Sequence, residues 1–127
     1  MRDQKQLTKN KAELDAYLVC ALWASTDDKD EPLDQLFDVS DIDPESREKL
    51  ALEFWEFVHQ AEDLDGFDNI PEGHLGHNFW LNRNGHGSGF WDRDYLTKEQ
   101  GQAFSKLSHK FGEAYLYVGD DSKIHLA

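Results

Sequence analysis

The stretch HNFWLNRNGHGSGFWDRDY, residues 77–95, constrains the fold more than any other part of this sequence. Two Phe-Trp pairs, at 79–80 and 90–91, flank a glycine-rich centre that contains Asn84-Gly85. Asn and Gly tolerate the positive φ angles of tight turns, and aromatic side chains on adjacent strands pack across the ladder. The pattern therefore predicts a β-hairpin over residues 77–95.

Helix signals lie on both sides of this stretch. Residues 10–13 have capping-box spacing, with Thr8 as an alternative cap, and an apolar helical pattern follows them. Asp43-Pro44-Glu45 has the residue types of a helix start and precedes an apolar stripe that runs from Leu50 to Leu64. A second capping box at 97–100 opens a third helix. The sequence thus predicts three helices.

The end of the sequence predicts a further hairpin. Residues 114–118 and 123–126 are rich in β-forming side chains, and Gly119-Asp120-Asp121-Ser122 between them is typical of a turn. The resulting fold class is α+β, with about three helices packed on a small antiparallel sheet of two hairpins and about four strands. A chain of 127 residues fits a single domain, 1–127.

The negative charge is concentrated in one segment. Residues 27–73 hold seventeen acidic side chains and three basic ones, a net charge of −14, whereas the formal charge of the whole chain is −13. Such a field repels nucleic acid and attracts basic surfaces. We therefore expect no direct binding of nucleic acid.

Composition indicates a cytoplasmic location. Cys20 is the only cysteine and lies in an apolar helical pattern, which favours a buried thiol in a reducing compartment. The N-terminal residues are polar, and no apolar run approaches the length of a membrane span. We expect a soluble protein without a membrane partner; the sequence leaves the oligomeric state open.

Two surfaces are candidates for function. One is the acidic segment, whose carboxylates form either a solvated helix face or a surface that meets a partner. Its candidate partner-binding residues are Asp34, Asp38, Glu45, Glu53, Glu56 and Asp63. The other is the predicted hairpin 77–95, where His, Asn and Arg side chains could form the site of a small enzyme or of a ligand-binding protein. Its candidate residues are His77, Asn82, Arg83, His86, Asp92 and Arg93.

Histidine spacing raises the question of a metal. His74 and His77 have His-x-x-His spacing, and His86 and Asp92 follow. Zinc favours such donors, but no cysteine partner and no further supporting donor is evident. We expect no metal and no other cofactor. The arginines are expected to pair with Asp92 and Asp94, or else to meet a phosphate or carboxylate.

The sequence also resembles a known family. Residues 76–92, GHNFWLNRNGHGSGFWD, are similar to the hallmark run of small acidic proteins that tailed bacteriophages encode, a family without an assigned function. LVCALWASTD at 18–27, EPLD at 31–34, DIDPE at 41–45 and LYVGDDSKI at 116–124 extend the resemblance over most of the chain. Asn78 stands where the family tends to have Asp, and Asn82 where it tends to have Thr. The first difference argues against a required metal ligand or base at position 78.

The resemblance implies a phage protein that acts in the host cytoplasm. A small acidic protein of this kind is suited to occupying the basic groove of a host defence or transcription protein, because carboxylates can stand in for backbone phosphates. The sequence thus favours a non-enzymatic inhibitor that mimics nucleic acid. The alternative is the enzyme or ligand-binding protein that uses residues 77–95.

Overall fold

Four helices and one small β-hairpin form the described part of the chain, which is residues 4–26, 29–85 and 89–127 of a computed structural model. The helices are α1 Gln4–Ala24, α2 Pro44–Ala61, α3 His74–Arg83 and α4 Lys98–His109, and the strands are β1 Leu116–Val118 and β2 Ile124–Leu126. The prediction of helices with a small antiparallel sheet is confirmed. The described residues contain four helices rather than three, and two strands rather than about four.

Helices α2 and α4 begin where the sequence predicted. The Asp43 side chain accepts a hydrogen bond from the Ser46 amide at 3.2 Å, and Pro44 occupies the first turn of α2. Thr97 and Gln100 form a reciprocal capping box at the start of α4. Local sequence fixes both starts, because each cap needs only residues within one turn of the helix.

The prediction of a β-hairpin over residues 77–95 is wrong. Residues 74–83 form α3, and Phe90–Asp92 form a 3₁₀ turn after it. Asn84-Gly85 ends the helix, with Gly85 at φ 65°, the left-handed conformation in which helices commonly stop. The residues that suggested a hairpin turn are therefore a helix stop, and the centre of the predicted turn, residues 86–88, lies outside the described part of the chain.

Helix α3 occupies the centre of the fold. Eight of its ten residues are buried, on all sides of the helix, so it lacks the single apolar stripe of a surface helix. Its N-terminus is capped from α1, where the buried Glu13 carboxylate accepts hydrogen bonds from the Gly73 amide at 2.6 Å and the Gly76 amide at 3.4 Å. A carboxylate is stabilised there by the free amides and the helix dipole.

Close packing joins α1 to α3. A Cβ atom at Gly76 would lie 2.8 Å from both the Cβ and the amide nitrogen of Tyr17, and closer still to the Glu13 carbonyl oxygen. The Tyr17 ring stacks between Phe54 and Phe79, with centroid distances of 5.1 and 5.2 Å. Tyr17 thus links α1 to α2 and α3 in the aromatic core.

The C-terminal hairpin is confirmed and is attached to α2. Strands β1 and β2 are antiparallel, with Tyr117 opposite His125. The Asp43 amide donates to the Ile124 carbonyl at 2.8 Å, and the Leu126 amide donates to Ser46 Oγ at 2.9 Å. Two-stranded hairpins are marginally stable alone, so these contacts with the start of α2 hold the hairpin in place.

Candidate functional site

The exposed face of α2 carries a row of carboxylates. Glu45, Glu48 and Glu56 share one face of α2, Asp63 follows in the turn just after the helix, and all four are exposed. Within the described residues, none of them forms a side-chain hydrogen bond or an ion pair with the rest of the protein. These carboxylates are therefore available to an external cation.

Most of the acidic segment shares this exposure. Of the fifteen acidic residues between 29 and 73, twelve are exposed and none is buried. Asp34 is exposed in the 3₁₀ turn Leu33–Gln35. Asp38 is exposed as well, but its side chain also accepts from the Ser40 amide at 2.8 Å and from the Ser40 hydroxyl. The Ser40 hydrogen bonds lower the pKa of Asp38, which keeps this carboxylate charged.

Glu53 differs from the other carboxylates of α2. It accepts from both terminal nitrogens of Arg83, at 3.3 and 3.4 Å, and its side chain is 36% exposed whereas that of Arg83 is 2% exposed. Glu53 is thus the partner of a buried cation at the edge of the acidic face. The expectation that Arg83 pairs with Asp92 or Asp94 is wrong, since its carboxylate partner is Glu53.

Arg83, at the end of α3, forms hydrogen bonds to α1, to α2 and to the residues just after α4. Besides Glu53, it donates to Tyr17 Oη at 2.9 Å, to the Gly112 carbonyl at 2.9 Å and to the Phe111 carbonyl at 3.0 Å. These bonds use all five N–H donors of the guanidinium. Arg83 therefore satisfies carbonyl groups just after the end of α4 and has no donor left for a ligand.

Asn82 is also buried and bonds within the protein. Its side-chain oxygen accepts from the Phe90 amide at 2.6 Å, and a Cβ atom at Gly89 would lie 2.6 Å from Asn82 Cγ. Gly89 has φ 140°, and its amide donates to Asp92 Oδ1 at 3.0 Å. Asn82 and Asp92 thus fix the path of the chain into the turn at 90–92, and Asn82 is buried too deeply to meet a ligand.

A pocket of about 430 Å³ lies between α1 and the start of α3. One wall is apolar and comes from α1, and the opposite side carries polar groups. The lining residues are Ala16, Val19, Cys20, Trp23, Glu72, Gly73, His74, His77 and Arg93. Its size is within the range of pockets that bind small molecules.

A hydrogen-bonded chain of side chains supports the polar side of this pocket. Arg93 Nε donates to Asn78 Oδ1 at 3.0 Å, Asn78 Nδ2 donates to the Tyr95 hydroxyl at 2.7 Å, and that hydroxyl lies 3.2 Å from His74 Nδ1. Asn78 is fully buried. The chain therefore holds Arg93 and His74 in fixed positions at the pocket.

His77 lies in the same pocket, in surroundings that favour its neutral form. Burial lowers its pKa, and the nearby Arg93 and His74 lower the pKa further. Its ring lies 6.0 Å from that of Trp23, and its backbone carbonyl accepts from the Cys20 thiol at 3.5 Å. His77 thus contributes a neutral imidazole between the apolar and polar walls.

Cys20 should be an unreactive thiol. Burial raises its pKa to about 12, although Arg93 acts in the opposite direction, and the thiolate is the reactive form. We expect alkylation by iodoacetamide at mildly alkaline pH to be roughly 100-fold or more slower in the native protein than in the chain unfolded by urea. Mass spectrometry of the modified protein over time measures both rates. Rates within tenfold of each other would show that Cys20 is accessible.

The six residues proposed around the predicted hairpin do not form one site. The structure brings His77 and Arg93 together at the pocket, while Asn82 and Arg83 bond to the interior. Asp92 Oδ1 lies 3.8 Å from Arg93 Nε, so the expected pairing of Arg93 with Asp92 is confirmed. His86 lies outside the described residues.

Sequence reasoning missed Asn78, Tyr95, Trp23 and Glu13. One signal could have found part of this set: Asn78 and Asn82 are four residues apart, as on one side of a helix, and Asn84-Gly85 follows as a helix stop. Trp23 and Glu13 come from α1, about sixty residues away along the chain. No local pattern connects Trp23 to the pocket or Glu13 to the start of α3.

The described residues contain no group of three or more His, Cys, Asp or Glu side chains that could hold a metal ion. Because His86 is not among these residues, the expectation of no zinc on His74, His77 and His86 stays a prediction. No helix in the described ranges combines the length and the apolar character needed to cross a membrane.

No family model, no curated protein and no solved structure matches this sequence. The resemblance to small acidic phage proteins therefore stays a prediction.

Proposed function

We propose that this protein is a non-enzymatic inhibitor that binds the basic, nucleic-acid-binding surface of another protein. The observation that carries the proposal is the exposed carboxylate row on α2 and the turn after it, whose members Glu45, Glu48, Glu56 and Asp63 have no partner within the described residues. Arginine and lysine side chains that normally meet phosphates would meet these carboxylates instead. The resemblance to phage proteins favours a host defence or transcription protein as the target.

The spacing of the row supports mimicry of a nucleic acid. Within α2, Glu45, Glu48 and Glu56 are separated by three and eight residues, or roughly 5 and 12 Å along the helix axis at 1.5 Å per residue. The residues that anchor α2 lie on its opposite, buried side, so the helix presents its charges on a rigid support. A rigid row loses little conformational entropy on binding.

The first test is capture of proteins from a bacterial lysate on the immobilised protein, followed by affinity measurements on the main captured protein. Raising the salt from about 50 to 200 mM should weaken binding by about two to three orders of magnitude, as expected when several phosphate-like contacts are screened. Duplex DNA should compete for the captured protein. Affinity that is insensitive to salt and unaffected by DNA would contradict the proposal.

Charge reversal identifies the surface. The triple variant Glu45→Lys, Glu56→Lys, Asp63→Lys should lose binding, because three contacts become repulsive. Glu53 is left unchanged, since its carboxylate pairs with Arg83 inside the fold. The matched control is Glu99→Lys, Asp94→Lys, Asp120→Lys, which changes the net charge equally and also includes one first-turn helix residue. Equal losses in both triples would show that net charge, and not the α2 face, governs binding.

A further inference from the structure

The pocket between α1 and α3 has an apolar wall whose largest side chains are exposed and do not belong to the buried core. Val19 and Trp23 are 52% and 55% exposed, and both line the pocket beside Ala16 and Cys20. The Trp23 ring borders the imidazole of His77. This wall offers a flat apolar surface of the kind on which an aromatic body packs.

The hydrogen bonds opposite this wall have a definite direction. Arg93 Nε can only donate, so the oxygen of Asn78 must face it and the Asn78 amide nitrogen must face Tyr95. The Tyr95 hydroxyl therefore accepts from Asn78 and has its own proton free for His74 Nδ1. When this hydroxyl donates to Nδ1, His74 carries its own proton at Nε2, on the side of the ring away from Tyr95.

Arg93 and His74 thus present N–H donors to the pocket, beside the carboxylates of Glu72, which lines it, and of Asp92, which lies 3.8 Å from Arg93 Nε. Among the described residues, none accepts a hydrogen bond from the two terminal nitrogens of Arg93, and the imidazole of His74 supplies a further N–H. Arg93 is held by Asn78, a fully buried polar side chain, so its guanidinium is in place before any ligand arrives. Guanidinium groups favour carboxylate and phosphate, which they bind through two parallel hydrogen bonds.

We propose that this pocket binds a small organic anion, with its carboxylate or phosphoryl group on Arg93 and His74 and a flat apolar body against Val19 and Trp23. The site is separate from the acidic face of α2 and does not depend on the function proposed for that face. Glu72 also lines the pocket, and its carboxylate opposes an anion. Removing that charge should therefore strengthen binding.

Three probes of similar shape test the proposal. Benzoate and phenyl phosphate carry the two candidate anionic groups, and benzamide is the uncharged counterpart of benzoate. Titrations followed by NMR should show saturable shifts for one or both anions at Val19, Trp23, His74 and His77, and at least tenfold weaker binding of benzamide. The stronger anion identifies the head group. Equal binding of benzamide, or no saturable binding of any probe at millimolar concentrations, would overturn the proposal.

Variants of each wall of the pocket measure how much that wall contributes to anion binding. Arg93→Gln should weaken binding of the preferred anion at least tenfold, and Trp23→Ala about fivefold, while Glu72→Gln should tighten it about twofold. Trp23→Ala leaves the hydrogen-bonded chain intact, so it tests the pocket even if Arg93→Gln alters the fold. Arg47→Gln, an exposed arginine on α2, is the matched control and should bind as the unchanged protein does. Binding that survives both Arg93→Gln and Trp23→Ala would place the anion elsewhere and reject the site.

Discussion

Replacing Arg83 with methionine should lower the free energy of unfolding by about 3–5 kcal/mol. Methionine fills a similar space but leaves the Tyr17 hydroxyl and the carbonyl groups of Phe111 and Gly112 without their donor. It also leaves Glu53 beside an apolar group, and an unpaired buried polar group retains its full cost of desolvation. Urea unfolding measured by circular dichroism gives the change.

Three further variants separate the causes. Arg83→Lys keeps the charge but cannot form the forked bonds, so we expect a smaller loss of about 2 kcal/mol. The double variant Arg83→Met, Glu53→Leu removes both charges and should recover part of the loss. Arg47→Met changes an exposed arginine and should stay within about 0.5 kcal/mol of the unchanged protein. If Arg83→Met lowered the free energy of unfolding as little as Arg47→Met, the hydrogen bonds of Arg83 would not be important for stability.

Replacing Gly76 with alanine should cost about 3 kcal/mol of stability. Alanine is normally favoured over glycine inside a helix by up to about 1 kcal/mol, so the expected loss runs against helix propensity. The cause is contact with α1, because the added methyl group would lie 2.8 Å from Tyr17 Cβ and nearer still to the Glu13 carbonyl. Moving α1 outward would also strain the bonds from the Gly73 and Gly76 amides to Glu13. Urea unfolding again provides the measurement.

Gly112→Ala is the matched control for this change. Gly112 has φ 73°, and a Cβ atom there would meet nothing within 4 Å. Its loss should therefore reflect backbone strain alone, about 1–2 kcal/mol. A gain in stability for Gly76→Ala would mean that α1 and α3 can separate without cost, which would contradict the close packing of these helices.

The elements that sequence predicted correctly have local causes. Asp43 with Pro44, and Thr97 with Gln100, each specify a helix start within one turn of the chain. Helix α3 could not be found in this way, because it is buried on all sides and shows no stripe of apolar residues. Its N-terminal cap, Glu13, lies sixty residues away from Gly73 along the chain.

For the candidate site too, the sequence predicted some features and could not predict others. Composition alone located the negative charge, and the α2 face carries it as exposed carboxylates. The sequence could not show that Glu53 pairs with Arg83, thirty residues further on, or that Arg93 meets α1 across a pocket. The distinctive run at 76–92 largely builds the interior, since Asn78, Asn82 and Arg83 bond to other parts of the protein. A conspicuous sequence is here mainly a requirement of the fold.

The hydrogen bonds of the polar side chains of α3 affect the cooperativity of unfolding. Their partners belong to α1, α2, the segment around Phe90 to Tyr95 and the residues after α4. Any partial opening that removed one of these segments would leave a buried donor or acceptor unsatisfied, which makes intermediates costly. Unfolding should therefore be all-or-none, and the amide hydrogens of α3 should exchange with solvent only when the whole protein unfolds.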